Sequence, residues 1–357
     1  MFGGSRIAAP RPELRGWVRR PDRILCCVNS NVPAHAAVSP PGTHPSACPL
    51  CGLEGGREIL AGTDHRRGTL GDFRVTECPS CRLARTDPWP DDPGAWYPDE
   101  YPQHGGSESL TARASRGALE RASRPGAGRL GRLLGRAVPE ADTGGPLGSA
   151  SRILDVGAGT GGAVAAFRAA GHDAWGVEPS LRAVLVAEAR GTTGVVPGAL
   201  DDALESGLIP SGDYDLVRMS QVLEHVPDPV ALLRTLRRII SPSGRLVVGV
   251  PNLNSLARRM TGGAWDGLEF PRHLVHYTRD SLLWVLALGG FAVTSMRTAP
   301  LLGVLPGSID ARTAGGGHQR GWSDALIGRV AMYPVEWTLG ALGQGDGLVA
   351  IAEPAGN

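Results

Sequence analysis

The sequence contains no lysine. All 36 basic residues are arginines, and with 35 acidic residues the formal net charge is +1. A balanced charge gives no overall attraction to nucleic acid. No stretch approaches the roughly 18 consecutive apolar residues of a membrane-spanning helix, and the first residues lack the apolar segment of a secretory signal. The length of 357 residues and the hydrophobic content of 42% indicate about two folded domains, which we expect in the cytoplasm.

Cysteine is also scarce, with six residues in the chain. Four of them form two Cys-x-x-Cys pairs, Cys48 with Cys51 and Cys78 with Cys81. In a reducing compartment such pairs indicate a metal or redox site before a disulfide. Neither pair lies in the strand–helix context of a thioredoxin-like motif, whereas two pairs together supply the four thiolates of a tetrahedral zinc site. We therefore predict a closed, structural zinc site in a segment too small to make its own core.

The composition changes several times along the chain. The first residues mix Pro, Arg, Ala and Ser without periodicity, whereas the last two hundred alternate apolar strands with helical segments. Such alternation favours a mostly parallel sheet covered on both faces. The predicted segments are a disordered leader (1–45), a four-cysteine module (46–101), a helical linker or cap (102–146) and a strand–helix domain (147–357) in which 301–343 form a variable lid.

A glycine loop, DVGAGTG at residues 155–161, follows the first strand of the last segment. Glycines between a strand and a helix let the backbone approach a ligand where any Cβ would clash, and the helix start offers free N–H groups. The loop fits two templates. Gly157, Gly159 and Gly162 match the dinucleotide fingerprint G-x-G-x-x-G. Asp155, Gly157, Gly159 and Gly161 match D-x-G-x-G-x-G, the pattern of class I methyltransferases.

Three features favour the methyl-donor template. Asp155 precedes the first glycine, where it can order the loop and meet the ammonium group of S-adenosylmethionine. No second glycine loop follows to bind the other half of a dinucleotide. The segment QVLEHVPDP at residues 221–229 has no place in the dehydrogenase pattern. Glu178, at the end of the next strand, suits either cofactor because a carboxylate there can hold both ribose hydroxyls. The simpler alternative is a structural glycine turn.

Taken together, these motifs resemble bacterial class I methyltransferases with an N-terminal four-cysteine zinc module. The resemblance covers about residues 46–357 and is carried by residues 48–51, 78–81, 96–101, 153–161, 177–180, 223–229 and 270–278. It implies an α/β, Rossmann-like sheet of seven strands with an antiparallel last strand. It also implies methyl transfer from S-adenosylmethionine to small molecules such as secondary metabolites, sugars or quinone-like phenols, without fixing the acceptor.

The predicted donor-binding residues lie in and after the glycine loop. They are Asp155, Gly157, Ala158, Gly159, Gly161, Glu178, Pro179, Asp201 and Gln221. The resemblance implies that adenine lies beside an acidic residue after the second and third strands, and Asp201 and Asp202 are the nearest acidic pair. The alternative for this pair is a helix N-terminus where negative charge is favourable.

Three histidines are candidates for the chemistry. Methyl transfer from a sulfonium is an in-line displacement that requires an aligned acceptor and exclusion of water, and a hydroxyl acceptor benefits from a general base. His225 follows a strand whose end opens onto the cofactor crevice, and His273 and His276 lie in an aromatic-rich loop. The alternative for each is packing or capping. Arg272 could bind an anionic acceptor or pair with Asp266 or Glu269.

Some relatives use Glu-x-x-Glu-His after the fourth strand to hold a divalent ion. Here Gln221 replaces the first carboxylate, and because hard cations prefer charged oxygens we predict no catalytic metal. A divalent cation at Glu224 and His225 stays the alternative. The arginines of residues 113–136 alternate with leucines and lack an aromatic stacking platform, which argues against nucleic acid.

We therefore predict a methyltransferase with a small-molecule acceptor. O-methylation is the first expectation, and N- or C-methylation is the second. The alternatives are an RNA or protein methyltransferase, a zinc-ribbon binding module with an inactive Rossmann domain, and an NAD(P)-linked oxidoreductase. The oligomeric state stays open.

Overall fold

The structure is a computed structural model that describes residues 19–20, 23–24, 47–65, 69, 71–89, 108–313 and 326–356. The strands are β1 (Arg19–Arg20), β2 (Arg23–Ile24), β3 (Arg57–Gly62), β4 (Phe73–Glu77), β5 (Ala84–Asp87), β6 (Arg152–Val156), β7 (Asp173–Glu178), β8 (Val195–Pro197), β9 (Tyr214–Ser220), β10 (Ile240–Pro251), β11 (Val275–His276), β12 (Phe291–Ala299) and β13 (Gly347–Pro354). The helices are α1 (Leu110–Ser123), α2 (Gly128–Ala137), α3 (Gly162–Ala169), α4 (Leu181–Ala189), α5 (Leu200–Glu205), α6 (Pro229–Ile239), α7 (Leu256–Thr261), α8 (Arg279–Leu288), α9 (Val304–Thr313) and α10 (Leu326–Ala341). Single 3-10 turns occupy Pro139–Ala141, Leu223–His225, Gly262–Ala264 and Asp266–Leu268.

Seven strands form the main sheet in the order β12-β13-β10-β9-β6-β7-β8. The strands from β6 to β10 pair in parallel, whereas β13 lies antiparallel between β10 and β12. This arrangement confirms the predicted Rossmann-like α/β sheet with an antiparallel last strand. Because the parallel strands end at the same edge, the loops after β6, β7 and β9 come together there.

Helices cover both faces of the main sheet because its strands are apolar on both sides. Neighbouring side chains on a strand point to opposite faces, so Ile153 and Leu154 on β6 belong to different cores. Ile153 packs in one core with Phe167 of α3, and Leu154 packs in the other with Leu233 of α6 and Leu286 of α8. The continuous apolar run of β6 is therefore the expected signature of a doubly covered parallel strand.

A second sheet of four antiparallel strands follows the order β11-β5-β4-β3. Its fourth strand, β11, comes from the late part of the chain and pairs with β5. A shared core joins this sheet to the strand–helix part, with Phe73 and Val75 packed among Trp265, Leu268 and Phe270. No hydrophobic pattern in the sequence indicates this long-range pairing.

The sequence Ser-Pro-Ser-Gly at residues 241–244 is typical of a turn, but in the structure these residues are part of β10. The pairing of β10 with β9 shifts register between Ile240 and Arg245, so the strand bulges at this point. A Cβ added to Gly244 would lie 2.5 Å from the carbonyl oxygen of Tyr214. The small residues that suggest a turn in the sequence therefore allow a bulged strand to pass close to its neighbour.

Two helices, α1 and α2, occupy the predicted linker and flank Pro125 and Gly126. Residues 301–343 contain α9 and α10, and the buried Glu336 accepts hydrogen bonds from the N–H groups of Gly303 and Leu305 at the start of α9. Within the part of the chain that the structure describes, none of the helices has the length and apolarity to span a bilayer. Apart from β1 and β2, the predicted leader lies outside the described residues, as do residues 96–101.

Candidate active site

The glycine loop connects β6 to α3 at the carboxyl edge of the main sheet. Gly157, Gly159 and Gly161 have φ values of 71°, 53° and 75°, which a residue with a side chain adopts only with strain. A Cβ on Gly157 would lie 2.4 Å from Cγ2 of Val222, whereas a Cβ on Gly159 would meet no atom of the described residues within 4 Å apart from its chain neighbours. Gly157 is therefore packed against the end of β9, and Gly159 faces open space. The N–H groups of Gly157 and Ala158 donate to the Val177 carbonyl and fix the loop beside β7.

Glu178, the last residue of β7, lies directly beside the loop. Its Oε2 accepts the Gly159 N–H at 2.8 Å, and its Oε1 accepts the Ser180 N–H at 2.8 Å. The residue is buried, and the following Pro179 is exposed. Because each carboxylate oxygen can accept a further hydrogen bond, Glu178 can bind ribose hydroxyls while two backbone amides hold it in place.

Asp155 forms a buried ion pair that no sequence motif marks. It lies opposite Arg218 in the pairing of β6 with β9, and Nη1 of Arg218 donates to Oδ1 of Asp155 at 2.8 Å. Burial raises the pKa of Asp155, and the charge and hydrogen bond of Arg218 oppose this shift. Arg218 also donates to the Glu140 carbonyl and lines a small cavity with Ser220 and Gln221. The negative charge predicted beside the donor is thus balanced by a strand arginine.

Gln221 occupies a strained position just after β9. Its φ is +57°, a left-handed conformation that is uncommon for a residue other than glycine. Its N–H donates to the Gly249 carbonyl at 2.8 Å, which fixes the turn at the carboxyl edge. Strained residues of this kind cluster at binding sites, and the contact of Gln221 with the donor stays a prediction.

Asp201 and Asp202 lie in the first turn of α5 and are exposed. Oδ1 of Asp201 accepts a hydrogen bond from the Thr235 hydroxyl at 3.0 Å. Acidic residues at a helix start interact favourably with the helix dipole, which is the alternative stated for this pair. The role of Asp201 beside adenine stays a prediction.

The structure brings the three candidate histidines together. His225 lies in the 3-10 turn after β9, and His273 and His276 lie in the segment that ends in β11. The ring centroids of His225 and His273 are 4.7 Å apart, and those of His273 and His276 are 6.4 Å apart. They therefore form one cluster at the carboxyl edge of β9.

Backbone carbonyls set the tautomers of two of these histidines. Nδ1 of His225 lies 2.9 Å from the Arg272 carbonyl oxygen, and Nδ1 of His273 lies 2.9 Å from that of Gly267. A carbonyl oxygen only accepts, so Nδ1 carries the proton in both rings and Nε2 keeps its lone pair. Burial lowers the pKa of both rings, which keeps them neutral. His225 is partly exposed and His273 is buried, so His225 is the better placed base.

His276 has the opposite tautomer. The Thr86 hydroxyl donates its proton to the His273 carbonyl at 2.5 Å and also lies 2.9 Å from Nε2 of His276. Because a hydroxyl has one proton, Nε2 of His276 must carry its own proton and donate to Thr86. Burial lowers the pKa of His276 to about 3. A buried, neutral and hydrogen-bonded ring matches the packing alternative stated for His276.

Glu224 lies beside His225 and is fully buried. Among the described residues, neither of its carboxylate oxygens has a hydrogen bond with another residue, and burial raises its pKa well above the usual value. Glu224, His225 and His273 each offer one ligand atom, and these atoms lie within 4.8 Å of one another. Two imidazole nitrogens and a carboxylate suit transition-metal ions, and rings held through Nδ1–H are typical of metal ligands. The residues could therefore hold a divalent cation without Gln221.

The four predicted zinc ligands also come together. The sulfur atoms of Cys48, Cys51, Cys78 and Cys81 lie within 4.8 Å of one another. In each turn the N–H of the first cysteine donates to the carbonyl of the residue five positions later. The carbonyl of the same cysteine accepts a hydrogen bond from the N–H of the residue four positions later. A hydrogen bond from Cys81 lowers the pKa of Cys48 to about 5. Two equivalent turns that present four reduced thiols form a geometry suited to one tetrahedral ion. Cys26 and Cys27 lie outside the described residues.

The comparison with known proteins shows that this chain is similar to methyltransferases. A family model described as a methyltransferase domain matches residues 120–296. A ubiquinone biosynthesis O-methyltransferase from Xanthomonas oryzae pv. oryzae (strain PXO99A) is 29% identical over 133 residues, covering 36% of this chain and 55% of the relative. One from Bordetella avium (strain 197N) is 32% identical over 105 residues, covering 29% and 44%. The chain thus spans about half the length of these curated relatives. A structure described as a SAM-dependent methyltransferase from Archaeoglobus fulgidus is 19% identical, with a TM-score of 0.41, and the match covers 68% of this chain and 96% of that one.

The family model described as a methyltransferase domain is similar to residues 120–296 of this chain. This range contains the glycine loop, Glu178 and the histidine cluster, so the matched segment and the geometric site coincide. The class predicted from the sequence, S-adenosylmethionine-dependent methyltransferases of class I, is therefore supported.

Proposed function

We propose that the whole protein transfers a methyl group from S-adenosylmethionine to a small-molecule acceptor, with a hydroxyl as the first candidate group. One observation carries the donor assignment. Gly159 faces open space, and the buried carboxylate of Glu178 lies 2.8 Å from its amide nitrogen. Backbone that a ligand can approach closely, with a fixed carboxylate beside it, suits a nucleoside with free ribose hydroxyls.

Two observations support a small acceptor with a hydroxyl. The curated relatives in the comparison are named as O-methyltransferases of ubiquinone biosynthesis. Several arginines of residues 113–136 are already paired within the chain: Arg116 with Glu108, and Arg124 with Glu120. Such pairing reduces the positive charge that these helices offer to a phosphate backbone.

His225 is the proposed base. When bound, S-adenosylmethionine supplies a methyl group on a sulfonium. Nε2 of His225 accepts the proton of the acceptor hydroxyl as the oxygen bonds to the methyl carbon, and the electron pair of the broken carbon–sulfur bond stays on sulfur. The Arg272 carbonyl holds Nδ1–H of His225 at 2.9 Å and stabilises the imidazolium that forms, as an orienting acceptor does for a general base.

Calorimetry on the full chain tests the proposal. S-adenosylhomocysteine should bind, and NADH should not. Binding of NADH without S-adenosylhomocysteine would favour the oxidoreductase alternative, and binding of neither would favour an inactive Rossmann domain. Salt-dependent binding of a short RNA would instead favour an RNA methyltransferase, because phosphate contacts weaken steeply with salt.

A cation-assisted reaction is the second candidate, favoured by the cluster of Glu224, His225 and His273. Here a divalent ion on these ligands would lower the pKa of an acceptor hydroxyl, as metals do for bound water. The two versions exclude each other at Nε2 of His225, which can either accept a proton or bind an ion. Titration with Mn²⁺, followed by electron paramagnetic resonance, separates them because only the second version requires a bound ion.

We also propose that Cys48, Cys51, Cys78 and Cys81 hold one structural zinc ion. The convergence of four thiols from two equivalent turns supports this proposal. Metal analysis of the purified chain should give about one zinc per chain, and Cys81→Ser should lose the metal and lower the unfolding temperature. A wild-type chain that is folded and metal-free would contradict it.

A further inference from the structure

We propose that Asp64 and Thr86, two residues of the N-terminal module, are positioning residues of the methyl-transfer site. They hold the segment formed by residues 266–276, here called the histidine loop, which sets the tautomers of His225 and His276. The inference rests on the proposed function in one respect: it takes His225 to lie on the acceptor side. In this proposal the four-cysteine module helps to position the residues that face the acceptor.

The histidine loop lies between the module and the turn that carries His225. The Leu274 N–H donates to the Glu224 carbonyl at 2.8 Å, and the Leu274 carbonyl accepts the Thr86 N–H at 2.9 Å. One residue of the loop is thus bonded to the methyltransferase side through its amide and to the module through its carbonyl. The next residues form β11 and continue the sheet of the module.

Asp64 fixes the loop through Arg272. Nη1 and Nη2 of Arg272 donate to the two carboxylate oxygens of Asp64 at 3.1 and 3.2 Å, and both side chains are 1% exposed. Burial alone would lower the pKa of Arg272, but the hydrogen bonds and charges of Asp64 and Glu269 outweigh it. A buried guanidinium is stable only beside its partners, so its position is determined by them. Because the Arg272 carbonyl accepts a hydrogen bond from Nδ1–H of His225, this anchoring also fixes the orientation of His225.

Thr86 fixes the other end of the loop. Its hydroxyl donates to the His273 carbonyl and accepts from Nε2 of His276, so one side chain of the module bonds to two residues of the cluster. Asp64 and Thr86 come from separate segments of the module, before β4 and within β5. Their combined action therefore requires the folded module.

The backbone of β3 packs tightly against the turn that precedes the loop. A Cβ added to Gly263 would lie 1.9 Å from the Ala61 carbonyl oxygen, and one added to Gly62 would lie 2.7 Å from the Gly263 carbonyl oxygen. The ring of Phe73 stacks on that of Phe270 with centroids 5.6 Å apart. Contacts between backbones leave little room for adjustment, so a change in the module is transmitted to the loop.

Nitrogen NMR of the full chain, labelled with ¹⁵N-histidine, tests the proposal without an acceptor. In the wild type, His225 and His273 should be protonated on Nδ1 and His276 on Nε2, with signals assigned from single histidine variants. Asp64→Asn removes one charge from the Arg272 pair, and His225 should then lose its single tautomer and give averaged ring signals. Thr86→Val removes the hydroxyl at nearly constant size and should shift the His276 signals, and Thr86→Ser should restore them.

Glu77→Gln is the matched control. Glu77 lies on the same sheet and pairs with the exposed Arg57 and Arg82, so its loss should leave all three tautomers unchanged. Unchanged histidine signals in both Asp64→Asn and Thr86→Val would overturn the proposal. If Asp64→Asn does not fold, the comparison of Val with Ser at position 86 decides.

Binding of S-adenosylhomocysteine to the same variants separates this inference from the proposed function. Asp64 and Thr86 bond to the histidine loop, whereas the proposed donor site is the glycine loop, so the affinity should be unchanged in Asp64→Asn and Thr86→Val. If the wild-type chain does not bind S-adenosylhomocysteine, the proposal that S-adenosylmethionine is the methyl donor is wrong. The histidine tautomers would still test the positioning role of the module in that case. A variant that loses donor binding together with the tautomer pattern would indicate general unfolding and contradict a positioning role.

Discussion

The open side of Gly159 leads to the sharpest prediction for the donor site. Replacing Gly159 by alanine adds one methyl group at a position where, among the described residues and apart from the adjacent ones in the chain, no atom lies within 4 Å. The folded chain can therefore accommodate the methyl group, but a ligand that approaches this backbone cannot. We expect Gly159→Ala to fold and to bind S-adenosylhomocysteine poorly.

The size of the effect follows from the backbone. With φ at +53°, an alanine at this position costs about 1–2 kcal/mol of stability from left-handed strain alone. Gly171 provides the matched control, because its φ is +92° and its added Cβ would also meet no atom within 4 Å. Gly171→Ala should lose a similar free energy of unfolding while binding S-adenosylhomocysteine as the wild type does. In Gly159→Ala the affinity should fall at least about tenfold, equivalent to about 1.4 kcal/mol.

Urea unfolding and calorimetry on the two variants measure both quantities. Equal losses of stability with unequal losses of affinity would show that the methyl group at Gly159 blocks a ligand. If Gly159→Ala binds S-adenosylhomocysteine as tightly as Gly171→Ala does, the loop is not the donor site and the reasoning from its open face is wrong. Gly157→Ala should be less stable than either variant, because its Cβ would collide with Val222.

Three further predictions concern charged and titrating groups. Glu178→Gln removes a charge-assisted acceptor worth about 1.5–3 kcal/mol, so calorimetry should show at least about a tenfold loss of affinity for S-adenosylhomocysteine, and an unchanged affinity would exclude a role in binding the ribose. His276 has a folded-state pKa of about 3 against an ordinary value of 6.5. Below pH 6.5 its ring therefore takes up a proton when the protein unfolds. This uptake should lower the free energy of unfolding by about 1.4 kcal/mol for each pH unit as the pH falls. Urea unfolding between pH 7 and 5 should therefore have a flatter pH dependence in His276→Gln, and an equal slope would contradict the buried neutral ring. If the second candidate reaction holds, wild-type chain should bind Mn²⁺ and Glu224→Gln should not, whereas Asp201→Asn, on exposed α5, should bind it normally.

Much of the donor side could be predicted because its determinants are local. The glycine loop, β6 and the end of β7 lie within about 25 residues, and apolar runs bounded by glycines mark each strand. Short-range rules for strands, helix starts and left-handed glycines apply directly to such a segment. β12 and β8 have no such signal, because β12 carries several polar residues and β8 has three residues only.

Arg272 pairs with the neighbouring Glu269, as one alternative in the sequence analysis stated, whereas the pairings that escaped prediction join residues far apart in the sequence. Arg218 lies in a strand 63 positions from its partner Asp155, and Arg272 lies 208 positions from Asp64. No local pattern distinguishes an arginine that pairs across a sheet from one that faces solvent. The same reasoning explains β11, since two residues have too little periodicity to predict a strand, and its partner β5 lies in another part of the chain.

Donor and acceptor sides should therefore respond differently to change. In the proposed site, the glycine loop and Glu178 lie within residues 155–178, so substitutions in the four-cysteine module should leave S-adenosylhomocysteine binding intact unless they unfold the protein. The proposed acceptor side combines three segments, which are the module, the turn at His225 and the histidine loop, and buried charges and backbone contacts hold them together. A shift of about 1 Å at a reacting group can cost 100-fold in rate, so small displacements of the module are sufficient to change turnover. Loss of the four-thiol site should accordingly reduce methyl transfer before it reduces donor binding.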